Sequence, residues 1–126
     1  EQTLEMLEKV DSSNLKLIWD TGNPVGHGQD PWEYYNNVKD HVAYVHIKDG
    51  ILEDGEMKYT FPGEGEGCVK EVLKDLIERD YRGCLSIEPH IASVIHEGKS
   101  ASSEEQALGT YIEYGEKLMG MVDSLS

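Results

Sequence analysis

The chain has 126 residues, of which 38% are hydrophobic and 29% charged, a composition typical of one modest globular domain. Its formal net charge of -14 argues against a nucleic-acid partner, because surfaces that neutralise phosphates depend on clustered Lys and Arg. No stretch approaches the roughly 18 apolar residues of a membrane span, so we expect no membrane partner.

The first half of the chain alternates between apolar runs and polar turns. The predicted elements are, in order, a helix over residues 1–10, a strand over 15–20, a loop over 21–29, a strand over about 43–48 and a loop over 49–67. A helix is predicted to start between the loop over 21–29 and the strand over 43–48. Asp30 can accept from the free amides, Pro31 suits the first turn and Glu33 completes a capping box.

The second half repeats the pattern. Apolar residues from Val69 to Ile77 follow helical spacing and predict one stripe that packs on a sheet. A turn over residues 81–83 leads into a third strand over 84–88, then a loop over 89–101 and a helix that starts at Ser102 and Ser103. Helices between all strands predict right-handed crossovers and a parallel sheet in an α/β fold.

The spacing of the strand ends fits the units of an eight-stranded barrel, roughly 31 residues each. Three strands cannot close a barrel, and they would leave unpaired edges that native proteins avoid. The chain also starts inside a helical pattern at Glu1 rather than at a methionine. We therefore expect it to belong to a longer polypeptide or to be completed by self-association or a partner.

The two cysteines indicate a compartment. Cys68 and Cys84 lack a CxxC spacing, and we expect buried free thiols in a reducing compartment, the cytoplasm, although the sequence alone leaves a disulfide open. No charged, then apolar, then small-residue signal pattern opens the sequence.

Each apolar run stops at a side chain that can bind a metal. The first strand ends at Asp20, the second reaches His46, and the third ends at Glu88. Reactive side chains of parallel α/β folds lie where such strands end, so the three are expected to converge. The alternatives are that Asp20 caps the following turn, that His46 is a satisfied core histidine and that Glu88 terminates its strand. An acid that closes an apolar strand is costly to bury without a partner, which favours a functional Glu88.

Four segments together resemble a known family. They are Asp20-Thr21-Gly22-Asn23, Val45-His46-Ile47-Lys48-Asp49, Phe61-Pro62-Gly63-Glu64-Gly65-Glu66-Gly67 and Ser86-Ile87-Glu88-Pro89. In order and spacing they are similar to the last three strand-helix units of the xylose isomerase-like TIM barrels, a superfamily of sugar isomerases and epimerases that also contains dehydratases and endonuclease IV. The resemblance implies the C-terminal portion of a (β/α)8 barrel with parallel strands, over residues 1–126.

The resemblance also implies a metal site. Asp20, His46 and Glu88 would hold a divalent cation together with a glutamate from an earlier strand, upstream of Glu1. Two carboxylates and one imidazole suit Mn²⁺ best, with Mg²⁺, Co²⁺ or Zn²⁺ as alternatives. Glu88 would also be the catalytic acid/base of a sugar isomerase or epimerase that acts on a small ketose through an enediolate.

Further residues are expected to contact the sugar substrate: Asn23, Lys48 and His90. Many family members carry a histidine where this chain has Asn23, and an amide is a poor metal ligand, which disfavours an endonuclease. Lys48 and Asp49 either form an ion pair or orient His46.

The run from Gly63 to Gly67 suggests a phosphate loop, but its acids would repel phosphate, which favours a turn before the next helix. A barrel without catalytic activity, or an inactive fragment with a binding role, is the alternative to an enzyme.

Overall fold

The computed structural model describes residues 2–91 and 104–126. Five helices and five strands occur in these residues, in this order: α1 (Gln2–Val10), β1 (Leu17–Asp20), α2 (Asn23–Gly26), α3 (Pro31–Val38), β2 (Val42–Ile47), β3 (Asp49–Glu53), β4 (Glu56–Thr60), α4 (Val69–Glu78), β5 (Leu85–Ile87) and α5 (Glu104–Leu125), with a 3-10 turn at Lys39–His41 between α3 and β2. The predicted loop after Pro89 and the helix start at Ser102 and Ser103 lie largely outside these residues.

The main sheet is parallel, as predicted. It has the order β1-β2-β5, so that β2 is its central strand. Trp19 pairs with Val45 and Val45 with Leu85, whereas Asp20 pairs with His46 and His46 with Ser86. Because successive side chains of a strand point to opposite faces, these two rows of residues lie on opposite faces of the sheet.

The hydrophobic core lies between one face of this sheet and the helices. Trp19, Val45 and Ile47 are buried on that face, and they belong to one cluster with apolar residues of α3, α4 and α5. The helix side of the cluster comprises Tyr35, Val38, Val69, Val72, Leu73, Leu76, Tyr114 and Leu118. The predicted stripe of α4 is confirmed at Val69, Val72, Leu73 and Leu76, whereas Ile77 is 40% exposed. The helix start at α3 has Asp30 accepting from the amide of Glu33 at 2.8 Å.

Apolar side chains are exposed on both edge strands of the sheet. Ile18 of β1, on the face away from the helices, is 63% exposed, and Leu85 of β5, in the same row as Trp19 and Val45, is 37% exposed. Both edge strands therefore carry apolar side chains at the surface.

The predicted loop over residues 49–67 was wrong in its first part, which forms the antiparallel hairpin β3–β4. Glu53 pairs with Glu56, and the two residues between them, Asp54 and Gly55, have positive φ of 52° and 81°. Asp-Gly at these two positions is a strong two-residue hairpin signal, because both central residues of the tightest hairpin turn need positive φ. Likewise, the predicted loop over 21–29 contains the short helix α2.

The prediction of buried thiols was also wrong. Cys68 is half-buried before α4 and Cys84 is exposed beside the edge strand β5, and both are free. Neither thiol belongs to the core cluster.

Candidate metal centre

Three strand ends bring Asp20, His46 and Glu88 together. Asp20 is the last residue of β1, His46 lies opposite it on β2, and Glu88 directly follows β5. One potential ligand atom of each residue lies within 4.8 Å of the others. The prediction that the three converge at one edge of a parallel sheet is confirmed.

Asp20 caps the following turn, as one of the two alternatives predicted, and it also faces the cluster. Its Oδ1 accepts from the amides of Gly22 and Asn23, both at 2.9 Å, and so caps the turn that leads into α2. Its Oδ2 faces the cluster, 2.9 Å from Lys48 Nζ and 4.0 Å from His46 Nδ1. The two hydrogen bonds to Oδ1 fix the orientation of the carboxylate, and Oδ2 faces the site.

His46 is not a core histidine. Its side chain is 27% exposed, its ring contacts Tyr44 edge to face, and its Nδ1 lies 2.8 Å from Glu88 Oε1. The carboxylate therefore holds the imidazole at the sheet edge rather than in the apolar cluster.

Glu88 contacts three basic side chains. Beside His46 it contacts Lys48 Nζ at 3.2 Å and His90 Nε2 at 3.6 Å through Oε2. Partial burial raises the pKa of the Glu88 carboxyl, but the hydrogen bond and charge of Lys48, together with the charge of His46, lower it more. The net result is a pKa below the usual value, so Glu88 is ionised at neutral pH.

Lys48 has a different role from either that the sequence suggested. It forms no ion pair with Asp49; its ammonium instead binds both Asp20 and Glu88. Burial lowers the pKa of Lys48, but the two carboxylates raise it more, so the pKa lies above its ordinary value. Asp49 lies apart from this ammonium because β2 ends at Ile47 and Asp49 already belongs to the hairpin.

Asp49 organises the glycine segment. It is 1% exposed, and its carboxylate accepts from the amides of Gly50, Gly63, Gly65 and Gly67 at 2.8 to 3.1 Å. The segment is thus a turn held by one acid directly before α4, as predicted, and not a phosphate loop. The alternating glycines indicate the turn in the sequence, but they do not indicate that Asp49 accepts the hydrogen bonds from their amides.

The expected substrate contacts lie around the carboxylates. Asn23 is exposed at the start of α2, and it lines with Asp20 and His27 a cavity of about 230 Å³ beside β1. His90 is stacked on Tyr59 of β4, with ring centroids 4.8 Å apart, and so joins the hairpin to Glu88. Tyr59 was missed because the hairpin itself was missed.

The donor set fits a divalent cation. Two carboxylates and one imidazole within a few ångströms are the ligands of hard to borderline metals. The ammonium of Lys48 already lies on both carboxylates, which is direct evidence that this cluster attracts positive charge. Mn²⁺, Mg²⁺, Co²⁺ and Zn²⁺ all match this chemistry.

A parallel α/β sheet with acids and a histidine at its carboxyl edge is the arrangement that TIM barrels have at their active face. The chain belongs to the xylose isomerase-like TIM barrel family, whose sequence profile matches residues 1–113. The resemblance seen in the motifs and the fold class are thereby confirmed.

Two curated relatives are dehydratases by name. Inosose dehydratase of Geobacillus kaustophilus (strain HTA426) is 29% identical over 103 residues, which cover 70% of this chain and 33% of that protein. Inosose dehydratase of Clostridium tetani (strain Massachusetts / E88) is 28% identical over 103 residues, 70% of this chain and 35% of that protein. The chain thus spans about a third of the length of these curated relatives.

A solved structure has the same fold. The crystal structure of a xylose isomerase domain protein from Planctomyces limnophilus aligns with a TM-score of 0.73 at 24% identity, over 98% of this chain and 43% of that one.

Among the described residues, none of the helices combines the length and apolar character that crossing a membrane needs.

Proposed function

We propose that the full-length protein is a metal-dependent enzyme that removes a proton beside the carbonyl of a small polyhydroxy compound, as sugar isomerases and epimerases do. The observation that carries this proposal is the convergence of Asp20, His46 and Glu88 at the carboxyl edge of the sheet. Membership of the xylose isomerase-like family and the similarity to inosose dehydratase support it. We place the enzyme in the cytoplasm, where the exposed thiol of Cys84 stays reduced.

Asp20, His46 and Glu88 would hold the metal, with Mn²⁺ as the first candidate and a glutamate outside this chain as the fourth ligand. When bound, a divalent cation supplies Lewis-acid stabilisation of the negative charge that develops on the substrate oxygens. Asp20 suits the role of ligand because the amides of Gly22 and Asn23 fix its carboxylate.

Glu88 is the residue that would move the proton. Its side chain is 33% exposed, so substrate can reach it, and as an ionised carboxylate it can accept a proton. His90 lies at its Oε2, and Lys48 neutralises part of its charge. Asn23, Lys48 and His90 would contact hydroxyl or carbonyl oxygens of the substrate.

Dehydration is the second candidate, because the relatives are named inosose dehydratases. It shares the first step, in which a base takes the proton next to the carbonyl. The two reactions differ afterwards: in an isomerase or epimerase the proton returns to carbon, whereas in a dehydratase a hydroxide leaves from the next carbon and the proton completes a water molecule. The same residues of this chain serve either outcome.

Deuterium exchange tests the proposal whichever product forms. The full-length protein is incubated with Mn²⁺ and a panel of ketohexoses and inososes in D2O, and NMR follows exchange beside the carbonyl and loss of water. Deuterium in unchanged or epimerised sugar supports isomerisation or epimerisation, and an unsaturated product supports dehydration. No turnover of any panel member, with Mn²⁺ bound, would contradict the proposal.

Variants then separate the ligands from the base. Glu88→Gln should abolish exchange even at high Mn²⁺, because the amide has lost its basicity. Asp20→Asn should lose activity mainly through weaker metal binding, and excess Mn²⁺ should recover part of it. Glu71→Gln on the exposed face of α4 is the matched control and should behave like the wild type. If excess Mn²⁺ restored the activity of Glu88→Gln as fully as that of Asp20→Asn, the proton transfer would belong to another residue.

A further inference from the structure

Lys48 has an unusual place for a lysine. Its side chain is only 11% exposed, and its ammonium lies 2.9 Å from Asp20 Oδ2 and 3.2 Å from Glu88 Oε2. A buried ammonium is costly unless it is paired, and here both partners are residues of the candidate metal centre. Lys48 therefore contacts the same two carboxylates that would bind a cation.

The residues that follow Asp20 hold Lys48 in this position. The hydroxyl of Thr21 donates to the carbonyl of Lys48 at 2.5 Å and accepts from its amide at 3.0 Å, so the backbone of Lys48 is fixed from both sides. Gly22 leaves room for the side chain: a Cβ there would lie 2.9 Å from Lys48 Cγ and 3.2 Å from Lys48 Cε. Thr21 thus fixes the backbone of Lys48, Gly22 leaves space for its side chain, and Asp20 pairs with its ammonium.

The ammonium uses the same oxygen that a metal would need. Asp20 Oδ1 is committed to two backbone amides, so Oδ2 is the oxygen left for a cation, and Lys48 already binds it. With a neutral imidazole, which is the form that ligates metals, the cluster of Asp20, Glu88 and Lys48 has one net negative charge. Without the lysine it would have two.

We propose that Lys48 is a built-in competitor of the metal: it holds the two carboxylates together before a cation is bound and weakens the affinity of the site for divalent cations. The inference rests on the metal site proposed above. Two positive charges that share the same carboxylates repel each other, so the ammonium has to give up part of its contact when Asp20 and Glu88 ligate a cation. Lys48 thus acts on metal affinity through the ligands rather than as a ligand.

The test is a direct titration of Mn²⁺ into the full-length protein, in which the EPR signal of free Mn²⁺ reports binding without any turnover. Lys48→Met should bind Mn²⁺ about tenfold tighter or more, because one positive charge at the carboxylates is removed. Lys48→Arg keeps the charge and should stay near the wild-type affinity. Lys74→Met, on the exposed side of α4, removes one lysine charge far from the cluster and should leave the affinity unchanged.

A second neutral variant, Lys48→Gln, keeps a hydrogen-bond donor and serves if Lys48→Met does not fold. Thermal melting without metal provides a further readout, since both neutral variants should have a lower melting temperature than the wild type. Saturating Mn²⁺ should reduce this difference in melting temperature. Unchanged or weaker Mn²⁺ binding in a folded neutral variant would overturn the inference and leave the metal site intact. A wild-type protein that binds no Mn²⁺ would overturn the proposed function as well.

Discussion

Replacement of Asp49 by alanine should strongly destabilise the protein. The Asp49 carboxylate accepts from four backbone amides, and its contacts to the amides of Gly50 and Gly67 are fully buried. A buried donor left without a partner costs about 1–3 kcal/mol, so these two amides alone give about 2–6 kcal/mol. That is a large part of the roughly 5–15 kcal/mol by which a domain is stable.

Urea denaturation of the full-length protein, followed by tryptophan fluorescence, measures this loss, because Trp19 lies in the core cluster. Asp49→Asn keeps one acceptor oxygen and should lose less stability than Asp49→Ala. Asp123→Ala, on the exposed surface of α5, removes an acid without disturbing the glycine turn and is the control. A free energy of unfolding for Asp49→Ala within about 1 kcal/mol of the wild type would refute the reasoning.

Two further predictions concern the core and the sheet edges. Burial raises the pKa of Asp75, but hydrogen bonds from Lys39 and Tyr35 lower it more, so the folded pKa lies below its ordinary value of 3.8. The stabilisation from ionised Asp75 is complete above pH 3.8 and is lost as the pH falls through the folded pKa. Denaturation should therefore show that Asp75→Asn is destabilising at pH 7 and that its difference from the wild type shrinks as the pH is lowered through the folded pKa. A difference that stays constant throughout the acid range would contradict this. The 126-residue chain alone should associate, since Ile18 and Leu85 are exposed on edge strands, and a cooperatively folding monomer in light scattering would show this wrong.

The parallel sheet and the three strand ends were predictable because buried parallel strands appear in sequence as apolar runs. Each run closes on a polar residue, and the register of β1 and β2 places Asp20 opposite His46. Such convergence needs only the direction and order of the strands, which the alternating helices supply. The resemblance of four motifs to one family added the roles of the residues.

The hairpin and its consequences were not predicted from the sequence. Strands β3 and β4 mix apolar with charged residues, so they lack a long apolar run, and the Asp54-Gly55 turn was hidden in a segment rich in Gly and acids. Tyr59 and the partners of Asp49 depend on that hairpin. The contacts of Lys48 could not be obtained from strand alternation, because the chain changes sheet directly after it.

The central claim is that Asp20, His46 and Glu88 hold a divalent cation in the full-length protein. Anomalous diffraction from Mn²⁺-loaded crystals of that protein tests it most directly. We predict one strong peak within about 2.0–2.6 Å of a carboxylate oxygen of Asp20, a ring nitrogen of His46 and a carboxylate oxygen of Glu88. Saturating Mn²⁺ that gives no peak there, or a peak that none of the three residues contacts, would contradict it.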